Sequence, residues 1–332
     1  MKLLWLQSGG CGGCTLSWLG SDLGPLISTL KDEGIEILWH PSLSAESCGE
    51  VLEIIHGCAD GRIEVDAFCL EGAVMRGPNG TGRYHLLAGT DTPMCEWIHR
   101  IARRARHVVA VGSCAAYGGV TSAGANHTDA CGLQYDGAAA GGLLGAQFRA
   151  RGGLPVINIA GCPTHPDWVT ETLIGLARGE LGERELDEVG RPRFYADQLV
   201  HHGCHRNEYY EFKASAEKPG DQGCLMEHMG CKGTQAHADC NRRPWNGGGS
   251  CLTGGYPCIR CTEPGFEEPG HPFATTPKLA GIPIGLPADM PKAWFVALAA
   301  LSKSATPARV RENARSDHTV RAPGTRRERS KS

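Results

Sequence analysis

The chemistry in this sequence lies in its cysteines, sixteen among 332 residues. Cys11 and Cys14 form a C-x-x-C pair in GGCGGC, Cys114 stands in VGSC and Cys162 in AGCP. A thiolate is a soft anionic ligand. Four that converge suit a 4Fe-4S cluster, one sulfur for each iron, although four thiolates also bind zinc. A C-x-x-C pair alone would as readily be a redox dithiol or part of a zinc knuckle. Further along, His201, Cys204, Cys224 and Cys231 offer one imidazole and three thiolates, and Cys240, Cys251, Cys258 and Cys261 offer four thiolates. Each set is the right size for one 4Fe-4S cluster, and imidazole in place of thiolate tends to raise a cluster's potential. The other reading is two structural zinc sites. Three clusters in one chain would make a wire, and no open position for catalysis accompanies them.

Such donors need elements to position them. Short apolar runs at Lys2–Leu6, Ile35–His40, Val65–Leu70, His107–Val111 and Pro155–Ala160 read as strands. Between them Ser44–Gly57, Thr92–Arg106 and His165–Gly179 read as helices, the first with Ser44 as N-cap. Strands spaced by helices of this length predict an α/β fold, a doubly wound parallel sheet with crossover helices. Cys11, Cys14, Cys114 and Cys162 then all fall just past strand carboxyl ends, where open α/β sheets bind ligands. Glycines beside them allow close backbone approach and aim N–H groups at anionic sulfur. The Gly137–Gly145 patch reads as a loop running into a helix start. From about residue 190 the periodicity stops, and a Gly-, Pro- and Cys-rich segment of this kind needs something inorganic to order it. From Lys303 an arginine-rich tail reads as solvated and mobile.

Bulk composition excludes several classes. A formal charge of −3 predicts neither a nucleic-acid footprint nor a membrane-surface patch. The apolar stretch Leu3–Leu6 is too short for a secretory signal, and Ala293–Leu301 is about half of the ~20 residues a membrane span needs. Disulfide scaffolds are mostly short secreted chains, so a reducing cytoplasm is the expected location, and cysteines there argue for metal.

In its motifs the sequence resembles the nickel–iron hydrogenase small subunits, up to about residue 290. The matching elements are Trp5 with Cys11-x-x-Cys14, Leu70-Glu71-Gly72, Val111-Gly112-Ser113-Cys114 and Gly161-Cys162-Pro163. They continue with His201-x-x-Cys204-x-Arg206, Gly230-Cys231-Lys232-Gly233 and the run from Cys258 to Pro264. The resemblance implies a flavodoxin-like domain over 1–185, an irregular cluster-binding domain over 186–290 and a C-terminal extension over 291–332. It implies a proximal cluster on Cys11, Cys14, Cys114 and Cys162, a distal one on His201, Cys204, Cys224 and Cys231, and a medial one on the last four cysteines. The nickel–iron centre would sit in a separate large subunit that acts on H2, and electrons would pass to an unknown acceptor. A dimer of heterodimers is compatible with this, and alternatives are a hydrogen-sensing subunit, a zinc-stapled interaction protein and a cluster-bearing part of NADH dehydrogenase.

Departures from the family pattern sharpen the expectation. The medial cluster is commonly 3Fe-4S with a proline where Cys251 stands, so three 4Fe-4S clusters are expected here. Membrane-bound oxygen-tolerant relatives carry two extra cysteines at positions that correspond to Gly13 and Gly119, which disfavours a 4Fe-3S proximal cluster. Neither an export leader nor a C-terminal membrane helix is apparent, which points to the soluble, actinobacterial-type enzymes. Glu71 is either a carboxylate where the two subunits meet or a turn acid hydrogen-bonded to nearby N–H groups. Arg206 either raises the distal potential or pairs locally with a carboxylate, and His202 or His205 would support the distal cluster. Cys48, Cys58, Cys69, Cys95 and Cys131 are expected to pack in the core.

Overall fold

The computed structural model describes residues 1–268, 278–279, 282–283 and 292–323. Most of 269–290 and the tip of the basic tail lie outside the described residues. Two compact units emerge, one of Met1–Asp197 with Trp245–Gly247 and the segment that opens at Cys261, the other of Gln198–Pro244, Gly248–Arg260 and the C-terminal residues. The division thus falls after 197 rather than after 185, and Cys261 returns to the first unit.

The first unit is built on five parallel strands: β1 (Lys2–Gln7), β2 (Glu36–Trp39), β3 (Ala67–Glu71), β4 (His107–Val111) and β5 (Ile157–Ile159). Their order in the sheet is β2-β1-β3-β4-β5. This is the flavodoxin-like arrangement, whose switch point lies between β1 and β3. The strands read as unbroken apolar runs because both faces are covered: Leu3 to Leu6, Phe68 to Leu70 and Val108 to Val111 are all buried. In register, Gln7 pairs with Glu71, Glu71 with Val111 and Val111 with Ile159, so four strands end level. The loops that carry the first cysteine set leave from this edge.

Helices α1 (Gly13–Trp18), α2 (Leu26–Asp32), α3 (Cys48–Asp60), α4 (Met94–Ala102), α5 (Gly112–Tyr117) and α6 (Pro166–Arg178) surround the sheet, and a short α7 (Arg193–Ala196) follows. α3 begins later than expected. Its N-cap is Ser47, whose N–H and hydroxyl both donate to the Glu50 carboxylate, at 2.8 and 2.7 Å. Ser44 instead takes the His40 N–H on its hydroxyl, 3.0 Å, and so belongs to the preceding turn. α6 matches its expected bounds: the His165 ring accepts the Asp167 N–H, Pro166 stands at the first turn and Gly179 closes the helix at φ 71°. The Gly137–Gly145 patch forms no helix; Tyr135–Asp136 and Ala139–Ala140 pair as a two-residue hairpin. Cys58, Cys69 and Cys131 pack in the core and Cys95 against it, but Cys48 is exposed on the first turn of α3 and has no packing role.

The second unit has little regular structure, as expected. Short helices α8 (Asn207–Glu211) and α9 (Met226–Met229) carry Tyr210 and Met226, which pack against Cys224 and Cys231, so the small core here is built on cysteine. The tail departs from expectation. After α10 (Lys292–Ser304) the chain forms α11 (Ala308–Ala314), with Val310, Asn313 and Ala314 buried. The arginine-rich string hides three small or apolar contacts spaced to face one side of a short helix.

Candidate metal-cluster sites

At the carboxyl edge of the sheet the first set comes together. Cys11 lies on the loop from β1 into α1, Cys14 in the first turn of α1, Cys114 in the first turn of α5, and Cys162 just past β5. The thiols raise one another's pKa: Cys114 and Cys11 act on Cys162, Cys11 on Cys114, and Cys114 and Cys162 on Cys14. Burial is the larger effect throughout, pushing Cys162 up to about 11 and Cys14 and Cys114 also upward. Backbone donors oppose it, the Thr164 N–H at Cys14 and the Thr121 and Val120 N–H groups at Cys114. Amides aimed at sulfur suit thiolates that share their charge with iron. Glycine is required where these loops meet. At Gly112, φ 83°, a Cβ would stand 2.4 Å from Cys14 Sγ, and at Gly119, φ 55°, it would stand 3.0 Å from Cys114 Sγ.

Glu71 is a turn acid. It is 3% exposed at the end of β3, where its carboxylate accepts from the Cys14 N–H (2.9 Å), the Thr15 N–H (3.1 Å), the Thr15 hydroxyl and Gln7 Nε2 (2.9 Å). The Cys14 and Thr15 N–H groups are orphan donors at the start of α1, so one buried carboxylate fixes the segment that carries Cys11 and Cys14. Ser113 has a role of its own that its motif did not disclose. Its hydroxyl donates to the Cys261 carbonyl and accepts the Gly161 N–H at 2.9 Å, which ties the Cys114 loop, the Cys162 loop and Cys261 at one point. A serine between a glycine and a ligand cysteine was its one sequence signal.

In the second unit His201, Cys204, Cys224 and Cys231 line one small cavity with Arg206, Asn207 and Tyr210. Among the described residues no three His, Cys, Asp or Glu side chains close on a point fit for one metal ion. Burial pushes Cys224 up to about 12, against the Met226 N–H, and raises Cys204 and Cys231 as well. Cys231 receives the Gly233 and Cys258 N–H groups, and Cys204 receives the Arg206 N–H at 3.4 Å. Asn207 leaves a buried side-chain oxygen without a partner. Turning its amide over would present an N–H2 group in its place, the polarity that sulfide accepts. His202 and His205 are exposed and do not line the cavity.

Arg206 is 7% exposed, and its guanidinium binds carbonyls: Asp221 O at 2.7 Å, Gly223 O at 2.8 Å and Leu252 O at 3.4 Å. Among the described residues no carboxylate neutralises it, and its charge favours the thiolate forms of Cys204 and Cys231. Of the last cysteine set, Cys258 adjoins the distal donors through its N–H to Cys231 Sγ, 3.4 Å. Cys240 is half-buried, and Cys251 is exposed in a turn closed by the Tyr256 N–H. Their grouping into one site still rests on the sequence.

Residues 11–176 match the family model of the NADH ubiquinone oxidoreductase 20 Kd subunit, and residues 196–274 match that of the C-terminal part of the NiFe/NiFeSe hydrogenase small subunit. Over 304 residues the chain is 34% identical to the F420 non-reducing hydrogenase II small subunit of Methanosarcina mazei, covering 85% of this chain and 77% of that protein. This chain belongs to the nickel–iron hydrogenase small subunits. The small subunit is also 30% identical over 287 residues to the periplasmic [NiFeSe] hydrogenase small subunit of Desulfomicrobium baculatum, covering 82% of this chain and 86% of that one. Its fold matches the actinobacterial-type NiFe-hydrogenase from Ralstonia eutropha H16 with a TM-score of 0.75 and 29% identity, over 93% of this chain and 92% of that one. The small subunit is accordingly an iron–sulfur electron-transfer protein that works within a nickel–iron hydrogenase complex, beside a large subunit. Neither hydrogen sensing nor a zinc-stapled scaffold is favoured by these matches. The first family model explains the likeness to NADH dehydrogenase, which stops short of the second unit. No described helix is long and apolar enough to cross a membrane.

Proposed function

We propose that this small subunit relays electrons from H2 oxidation in the large subunit through three 4Fe-4S clusters to an acceptor. The proximal cluster would be held by Cys11, Cys14, Cys114 and Cys162, the distal by His201, Cys204, Cys224 and Cys231, the medial by Cys240, Cys251, Cys258 and Cys261. The observation that carries this is the distal cavity, where three thiols and an imidazole face a common space with backbone N–H groups directed at their sulfurs. When bound, the clusters supply one-electron chemistry without a proton or a bond change. The chain's own part is to fix their ligands, surround them with N–H donors and place a buried cation, Arg206, beside the last of them. Half-buried His201 gives an acceptor, or a second heterodimer, its point of approach. A cytoplasmic location goes with this reading, a reducing compartment where the cysteines that ligate no iron would stay thiols.

The test is iron and acid-labile sulfide on the purified complex, with electron paramagnetic resonance of the oxidised sample. Three cubane clusters bring about twelve irons to this subunit and no oxidised 3Fe signal. Cys251→Pro should produce that signal. Its absence in the variant would remove Cys251 from the ligand set, and zinc without sulfide would overturn the reading.

A further inference from the structure

Cys224 hangs on an arm, residues 221–224, that lies outside any helix. On one side Arg206 binds the carbonyls of Asp221 and Gly223. The intervening amides go to the C-terminal segment: Gln222 N–H donates to Ser316 O at 2.8 Å and Gly223 N–H to Ala314 O at 2.9 Å. The approach is close, for a Cβ on Gly223 would stand 2.7 Å from Ala314 O. Successive peptide groups of an otherwise irregular arm are thereby satisfied from two sides, which removes the backbone freedom it would otherwise keep.

The segment that does this is itself held. Val310 is fully buried. Asn313, also buried, donates to Arg321 O and accepts from Arg321 N–H, both at 2.8 Å, and so folds the chain back after α11. Thr306 Oγ1 donates to Phe212 O at 2.9 Å. Two ion pairs tie it to sequence on the N-terminal side of the arm, Arg309 to Glu208 on α8, and Arg315 to Glu217 at 2.9 Å. The segment itself, Thr306 to Arg321, lies beyond residue 274, where the matched family model ends.

We propose that α11 and the turn after it are a clamp that positions Cys224 as a ligand and keeps the distal cluster from losing iron. The inference rests on the distal assignment above. Three variants of the complete heterodimer test it: a chain stopped after Ser304, Arg309→Glu, and the reversed pair Arg309→Glu with Glu208→Arg. The readouts are the rate at which a ferrous chelator strips the distal cluster, followed by its own reduced paramagnetic signal, and the distal midpoint potential. The proximal signal is the internal standard. The shortened chain should lose the distal signal at least tenfold faster while the proximal signal holds. Arg309→Glu should lose it roughly two- to fivefold faster, the range one exposed ion pair supports, and the reversed pair should return to the wild-type rate. Unchanged distal loss in the shortened chain and in Arg309→Glu, or loss of both clusters together, would overturn the clamp. If the shortened chain fails to fold, the ion-pair variants decide by the same criteria. A complex in which Cys224→Ala alters no cluster signal would overturn the distal assignment, and the clamp with it.

Discussion

Removing the charge of Arg206 should lower the distal potential. The guanidinium is buried, lines the cavity of the distal donors and is held by carbonyls, so solvent screens it little, and no described carboxylate pairs with it. Reduction adds one negative charge to the cluster, and a fixed cation beside it favours the reduced form. If a cluster bound there took up its electron about 8 Å from the guanidinium, a unit charge at an effective dielectric constant of about 20 would be worth about 2 kcal/mol, or about 90 mV for one electron. Arg206→Gln keeps an N–H2 donor for the carbonyls but loses the charge, and Arg206→Lys keeps the charge but loses the fork. Redox titration of the distal paramagnetic signal should therefore show Arg206→Gln lower by about 90 mV and Arg206→Lys within about 30 mV of wild type. Equal shifts in both variants would mean that geometry rather than charge is at work. No shift in Arg206→Gln would refute the electrostatic argument altogether.

Other outcomes follow from the same contacts. Gly112→Ala, which sets a methyl group 2.4 Å from Cys14 Sγ at φ 83°, should cost the subunit its proposed proximal cluster, a loss of about four irons per chain, read by metal analysis. Glu71→Gln loses charge-assisted acceptance of two backbone N–H groups and should destabilise the Cys11–Cys14 loop by about 1.5–3 kcal/mol, seen as faster amide exchange at Cys14 and Thr15. His40 is buried, with its ring accepting the Ser42 N–H, and burial lowers its pKa from 6.5 to about 4, with Glu71 partly opposing. The fold therefore resists its protonation: stability is complete above pH 6.5 and declines as the pH falls toward about 4, by about 3 kcal/mol if no other group compensates. Exchange at residues 40–44 should show this acid loosening, and His40→Gln should abolish its pH dependence.

The sheet was legible because its strands are buried on both faces, so unbroken runs such as Leu3–Leu6 and Val108–Val111 mark them without reference to partners. α6 was legible because its signals are local: a capping ring, a first-turn proline and a closing glycine. α3 is capped by Ser47 rather than Ser44 because only Ser47 has a glutamate, Glu50, three residues on to close a capping box, while Ser44 turns back to His40. The tail was misread for a related reason. Val310, Asn313 and Ala314 become a buried face only against the segment that they cover, and a string of arginines around them hides it.

The ligand sets show the same boundary. Residue type and loop position place Cys11, Cys14, Cys114 and Cys162 at one edge of the sheet, because parallel strands in register must end there. The choice between two roles for Glu71 and for Arg206 was beyond the sequence, since a carboxylate or a guanidinium carries the same charge whatever it faces. The tertiary structure turned Glu71 onto the N–H groups of Cys14 and Thr15, and gave Arg206 carbonyls in place of carboxylates. Sequence by itself determined which atoms this protein offers to metal, because thiolate and imidazole chemistry is intrinsic to the side chain. Only the fold decided which charges stay unneutralised beside them, because pairing depends on neighbours that lie far away along the chain.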